Sequence, residues 1–278
     1  FKLYMKITKP DTTFTKGDYT DMQTNLDYEA IVTYLQTQSN RTDVVTVTFL
    51  EGMNLEDFGD TLEESGVCGK EEFLEKCNST EFDEDYTFLS QITNSDERYY
   101  RLEGYLFPDT YEFYVKENAD SALSRLLANF QDRIVDDPDL APLIANSSYS
   151  LKEIVIMASL IEKETDGTDR TLISSVIHNR LENVGETAHL LQIDASLVYA
   201  AGREITEDDY QTLDSPYNLY THQGLPPTAI ANAGKASIQA ALQPDDTNYY
   251  FYVLNPDTQR HVFSRTLSEH NANLRKFG

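Results

Sequence analysis

Two carboxylates, Glu162 and Glu164, close the apolar run IMASLIEKETDG at residues 156–167, with Lys163 between them. Side chains two positions apart on a helix do not face each other, so these acids cannot form the opposed pair with which ordinary glycosidases work. Projecting residues 152–165 on a helix at about 100° per residue separates them. Lys152, Ser159 and Lys163 share a polar side with Glu162 at its margin, whereas Glu164 falls amid Ile154, Ile156, Met157, Leu160 and Ile161. A charged carboxylate on an apolar face is costly unless it finds a partner or takes up a proton. The negative end of the helix dipole adds to that cost in the last turn. Both effects favour the protonated acid, the form a general acid needs near neutral pH. The competing assignment for Glu164 is a frayed helix end paired with Arg170 or Arg180, or pointing to solvent. Glu162 reads as a solvated or salt-bridged residue.

Composition removes several classes. A net charge of −25, from 22 Lys and Arg against 47 Asp and Glu, argues against nucleic acid or an anionic membrane surface as partner. No stretch approaches the roughly 20 consecutive apolar residues of a membrane span. The chain opens on Phe1 and reads as a mature fragment, with its native N-terminus and any signal or anchor expected outside it. His178, His189, His222, His261 and His270 are scattered without metal-ligand spacing, so no metal or other cofactor is expected. Neither a GxSxG elbow nor a Gly-rich phosphate loop is present. Cys68 and Cys77 are too few for a four-ligand zinc site and form either a disulfide or two separate thiols.

The elements that must position Glu164 follow from periodicity. Residues 1–42 read as a strand-like start, a turn at TKGDYT and a helix near LDYEAIVTYLQTQ. Val44 to Phe49 alternates as a strand, and Leu55, Phe58, Gly59 and Leu62 then take up helical spacing until Gly66. Asn54 is placed to cap that helix, with Asp57 three residues on. KEEFLEKC adds a short helix, and the acidic STEFDEDYTF reads as a solvated face. From Arg101 the texture becomes aromatic and proline-punctuated in RLEGYLFPDTYEFY. Helical patterns follow over about 119–135, 150–165, 170–182 and 234–242. NYYFYVLNPDTQRHVFS reads as two strands joined at Asn255-Pro256-Asp257. The expected class is α+β, divided into a partial strand–helix segment (1–42), a small α/β domain (43–95) and a larger mixed α+β domain (96–278).

Three further stretches, EGYLFPDTY (103–111), LQIDASLVYA (191–200) and SPYNLYTHQGLPPTAI (215–230), join ASLIEKET and SVIHNRL in one order. Together, from FLEGMNLEDFG to SEHNANLRKF, they resemble the YceG-like (MltG-type) endolytic murein transglycosylases. The resemblance implies a LysM-like unit in residues 43–95. It implies a catalytic domain that cuts the MurNAc–GlcNAc bond of nascent peptidoglycan without water, leaving 1,6-anhydro ends. It also implies an N-terminal anchor holding the protein on the outer face of the bacterial cytoplasmic membrane, beside the cell-wall synthesis machinery. The second Glu of EKET is the family's acid, which maps to Glu164. The chain departs from the family's GLPPGPIANPG in GLPPTAIANAG, where Thr228, Ala229 and Ala233 replace Gly, Pro and Pro and are expected to loosen the turn.

With a glycan as substrate, the neighbouring motifs acquire candidate roles. Gln192 offers an amide to an acetamido group or to Glu164. Asp194, Ser196, Tyr217, Asn218 and Tyr220 offer groups for sugar hydroxyls or developing charge, and Glu103 and Tyr105 are placed to line the groove. The alternatives are structural: Gln192 and Asn218 capping turns, Asp194 capping a helix, Glu103 and Tyr105 packed in an aromatic turn. A muramidase in which Asp194 or another acid activates water and a wall-binding scaffold with Glu164 inert are the competing functions.

Overall fold

The computed structural model describes residues 2–8, 26–35, 43–92, 99–165 and 167–277. In chain order these form α1 (Lys2–Thr8), α2 (Tyr28–Leu35), β1 (Val44–Thr48), α3 (Leu55–Glu64), α4 (Lys70–Cys77), β2 (Thr110–Tyr114), α5 (Ala119–Phe130), α6 (Leu140–Asn146), α7 (Leu151–Glu164), α8 (Arg170–Glu182), α9 (Asp194–Ala201), α10 (Asp209–Thr212), α11 (Lys235–Leu242), β3 (Phe251–Asn255), β4 (Arg260–Ser264) and α12 (Leu267–Phe277). The class is α+β, as expected. The start read as strand-like is helix α1, where Leu3 and Ile7 stand four apart, the helical rather than the strand interval. The turn expected at residues 15–20 lies outside the described residues.

Two antiparallel pairs make up the sheet structure. β1 pairs with β2, Val44 opposite Tyr114 and Thr48 opposite Thr110. β3 pairs with β4, Phe251 opposite Ser264 and Asn255 opposite Arg260. The first pair joins residues on either side of the expected 95/96 boundary. Phe49 stacks on Phe58 with ring centroids 4.1 Å apart and meets Tyr111 and Phe113 edge-on, so the small β1–α3–α4 unit is closed by a strand from beyond it. Asn54 and Asp57 make the reciprocal cap at the head of α3, at 3.0 and 2.9 Å. The acidic stretch shows most of its acids to water, yet Phe82 and Phe88 turn into the core. Cys68 and Cys77 are separate thiols; burial pushes Cys68 up to about 12 and Cys77 well above its usual range, so neither is a nucleophile at neutral pH.

α7 is the element around which the rest is arranged. Ser150 and Glu153 form its capping box, and every residue from Ile154 to Ile161 is buried. Ser159, expected on a wet side, is fully buried: it donates to Ile156 O at 2.7 Å and accepts from the Ile230 amide at 3.1 Å. The covering segment is the loop that departs from the family pattern, and it is not loose. Residues 228–234 are all buried, and the Thr228 hydroxyl hydrogen-bonds Tyr217 Oη at 2.7 Å. Ala229 packs where a side chain on Gly104 would fall. Gly104 has φ 91°, and a Cβ there would lie 2.5 Å from Ala229 Cβ and 2.7 Å from Val155 Cγ1.

Asn232 ties this loop to the small unit. Its Oδ1 accepts from the Gly104 and Leu106 amides at 3.0 and 3.1 Å, and its Nδ2 donates to Met53 O at 3.1 Å and Glu103 Oε1 at 3.3 Å. Removing that amide strands the buried Gly104 and Leu106 N–H groups and deprives Glu103 of a donor, each worth roughly 1–3 kcal/mol when left unpaired. Asn232→Ala is therefore expected to lower unfolding stability by at least about 3 kcal/mol, read from the denaturant midpoint at unchanged slope; a loss below about 1 kcal/mol would show that the junction is not structural.

Candidate active site

Glu164 is the last residue of α7, where the enclosed helix reaches the surface, and its side chain is only partly buried. Tyr252 on β3 donates to Glu164 Oε2 at 2.9 Å. The amide of Ala195, in the first turn of α9, also donates to the carboxyl. The acid thus lies between the negative end of one helix and the positive end of another, whose effects oppose. Burial is the largest influence and raises its pKa; Asp194 adds to this, while Tyr252, His261 and the Ala195 amide pull it down. The net direction is upward, towards the protonated form.

Asp194, at the head of α9, is exposed and accepts from Tyr220 Oη on one oxygen and Tyr210 Oη, at 3.1 Å, on the other. The two rings meet edge-on with centroids 4.6 Å apart. Burial and then Asp194 hold the Tyr220 hydroxyl well above its ordinary value, so it stays a donor. Gln192 is exposed two residues before Asp194, in the left-handed region at φ 51°, with its amide anchored on Leu219 O at 3.0 Å. Such strain in a non-glycine residue persists where surroundings impose it, commonly at ligand sites. Glu164, Asp194 and Tyr220 therefore form one cluster, with Gln192 beside it.

The other named candidates support this cluster from beneath. Ser196 and Tyr217 are fully buried; the Ser196 hydroxyl donates to Tyr217 O at 2.8 Å and the Tyr217 hydroxyl is engaged by Thr228. Asn218, also fully buried, donates to Leu213 O and Tyr210 O at 3.0 and 3.3 Å and accepts from the Tyr220 amide, fixing the turn that presents Tyr220. Tyr105 is packed among Phe88 and Phe130. Glu103 is 1% exposed and accepts from the Leu55 amide, Tyr199 Oη and Asn232 Nδ2 at 3.2, 3.0 and 3.3 Å. Burial pushes its carboxyl up to about 8 against those donors. In this conformation these five side chains present almost no surface to a sugar.

Glu162 is salt-bridged but not solvated. Its side chain is 6% exposed, 3.3 Å from Arg170 Nη2, and accepts from the Gly234 amide at 3.0 Å. Arg170 is thereby committed to Glu162, and Arg180 is buried with its guanidinium on Tyr250 O and Leu191 O. Two residues next to Glu164 were not anticipated: Tyr252, and His261, whose Nδ1 lies 2.6 Å from Asp169 Oδ2. Nothing marks Tyr252 among 18 tyrosines, and His261 draws notice in the sequence only as a metal ligand, for which its spacing is wrong. A cavity of about 810 Å³ lies elsewhere, between β2 and α5, lined by Asp109, Tyr111, Phe113, Arg125 and Asn129. It shares no residue with the Glu164 cluster, and the chemistry rather than the volume marks the candidate site.

A single carboxyl whose pKa burial raises at a helix end, beside a tyrosine-held aspartate, is an arrangement on an α+β scaffold from which a one-acid site can be built. The family model described as YceG-like family matches residues 1–276, and the chain belongs to that family. An endolytic murein transglycosylase of Bacillus subtilis is 31% identical over 291 aligned residues, covering 100% of this chain and 76% of that protein. One of Streptococcus pneumoniae is 26% identical, covering 93% of this chain and 50% of its own length, so the chain spans about half of that relative. The crystal structure of a putative YceG-like protein from Listeria monocytogenes superposes with a TM-score of 0.72 at 29% identity, covering 98% of this chain and 88% of that one.

Two measurements test these electrostatics. Because Tyr252 lowers and Asp194 raises the Glu164 pKa, carboxyl-labelled NMR titration is expected to show it rising in Tyr252→Phe and falling in Asp194→Asn; shifts of the same sign in both variants would contradict the arrangement. Burial pushes the Glu103 carboxyl from its ordinary 4.5 up to about 8, so the folded state binds its proton more tightly. Stability from this source is complete below about 4.5 and is lost as pH rises through about 8. The melting temperature of the wild type should fall between about pH 4.5 and 8 more steeply than that of Glu103→Gln, and equal slopes would exclude a raised Glu103.

Proposed function

We propose that this chain is an endolytic murein transglycosylase that cleaves the MurNAc–GlcNAc bond of nascent glycan strands, with Glu164 as its one acid and base. The observation that carries the reading is the partly buried Glu164 carboxyl, raised towards its protonated form and held by Tyr252 and the Ala195 amide. The names of the Bacillus and Streptococcus relatives supply the substrate class.

The chemistry needs only one carboxyl. Protonated Glu164 gives its proton to the glycosidic oxygen as the bond from that oxygen to C1 of the muramic acid breaks. Positive charge then develops at C1, where the oxygens of Asp194 beside the site can face it. The same Glu164, now a carboxylate, takes the proton of the muramic 6-hydroxyl as that oxygen closes on C1. One C–O bond breaks, one forms, and the proton passes from O6 through Glu164 to the departing sugar. Because the nucleophile belongs to the substrate, proximity replaces the second carboxylate of a hydrolase.

The order β1–α3–α4–β2 with antiparallel β1 and β2 supports reading that unit as LysM-like, a handle for the glycan near the cutting site. The substrate lies outside the cytoplasmic membrane, so the reading carries the protein to that face, close to the proteins that polymerise the strands. Among the described residues no helix is long and apolar enough to cross a membrane.

Digestion of nascent strands is expected to give 1,6-anhydro products, lighter by one water than hydrolysis products in the mass spectrum. Glu164→Gln, which keeps the shape and removes the proton, should slow cleavage by roughly 10²–10⁴-fold. Reducing ends alone, or undiminished cleavage by the variant, would overturn the assignment.

A further inference from the structure

The strongest feature that the reaction above leaves unused is a carboxylate–imidazole pair behind Glu164. Asp169 begins the turn into α8, where its carbonyl accepts from the Leu172 and Ile173 amides, both at 2.9 Å. Its Oδ1 accepts from the hydroxyl of Thr165, the residue immediately after Glu164, at 2.7 Å. Its Oδ2 meets Nδ1 of His261 on β4 at 2.6 Å, and the two side chains are 9% and 8% exposed. One carboxylate thus joins the end of α7, the start of α8 and the C-terminal hairpin.

The hairpin transmits this to the acid. In the β3–β4 register Tyr252 faces Phe263 and Leu254 faces His261, so Tyr252 and His261 are diagonal neighbours on one face. Their rings meet edge-on, with centroids 5.3 Å apart at 77°. Phe263 flanks both, at 6.1 Å from Tyr252 and 6.4 Å from His261. The tyrosine whose hydroxyl holds Glu164 is therefore braced by an imidazole that is itself pinned to the residues following Glu164. We propose that Asp169 and His261 are positioning residues of the reaction: they clamp the hairpin to the α7–α8 junction so that the Tyr252 hydroxyl stays aimed at the Glu164 carboxyl. A short, buried contact suits that task, because its directional geometry resists the small misplacements that degrade proton transfer. The inference rests on the transglycosylase reading and adds to it two residues that do not touch the substrate.

The test is steady-state cleavage of glycan strands by wild type, His261→Ala, His261→Asn, Tyr252→Phe and the Tyr252→Phe/His261→Ala double variant, with Glu164→Gln as control and melting curves for each. His261→Ala is expected to lower kcat roughly 10- to 100-fold with KM changed less than about twofold. His261→Asn, whose amide N–H replaces the Nδ1–H donor to Asp169, is expected to recover much of that loss and to report even if the alanine variant folds poorly. If His261 acts through Tyr252, the double variant is no slower than the slower single one. Multiplicative losses in the double variant, a defect in KM alone, or no recovery in His261→Asn at an unchanged melting temperature would overturn the proposal. So would wild-type kcat in His261→Ala while Glu164→Gln is inactive, and that result leaves the transglycosylase reading standing. Full activity in Glu164→Gln would instead remove that reading, and this inference with it.

Discussion

From Ile154 to Ile161 no residue of α7 reaches water, and the placement of every neighbouring element answers the need to cover it. Helices α8 and α11, the loop at 228–234 and the turn at Gly104 each close part of its circumference, with Ser159 turned inward onto the Ile230 amide. An apolar helix enclosed on all sides must be surrounded before the molecule is stable, because leaving any face exposed forfeits its burial. The last turn escapes enclosure, and there Glu164 stands. Glu164 is held in place because the helix beneath it has nowhere to move.

That position also sets the charge. At the end of α7 a carboxylate is disfavoured by the helix dipole and by burial, while the Ala195 amide at the head of α9 and the Tyr252 hydroxyl favour it. An acid required to give up a proton and then act as a base is best served by such opposed influences, since neither protonation state is then out of reach. The tyrosines around Asp194 serve a different end: their hydroxyls fix both of its oxygens in place at the surface beside Glu164.

The small β1–α3–α4 unit and the larger domain are joined through buried polar contacts rather than through a linker. Asn232 and Glu103 bring the head of α3, the Gly104 turn and the covering loop to one point. Buried hydrogen bonds of this kind add little net stability but are costly to break, so they fix geometry. The relation between the two units is thereby specified to the length of a hydrogen bond.

Much of this was legible in the sequence because it is local. The spacing of Leu55, Phe58 and Leu62 with Asn54 and Asp57 before them determined α3 and its cap, and the apolar run 154–161 determined α7 and the oddness of Glu164 at its end. The wheel failed at Ser159 and left open whether Glu162 meets water or a cation, because a periodic pattern shows which face is polar but not whether another segment supplies partners for it. Only the tertiary structure decided that Gly234 and Arg170 take up Glu162, that Glu103 and Tyr217 lie under the site, and that Tyr252 and His261 arrive beside Glu164 from about 90 and 100 residues further along the chain. Contacts between distant segments depend on how whole elements pack, and no spacing along the chain encodes them; what the sequence carried unaided was the pattern of burial within each element and the one acid that broke it.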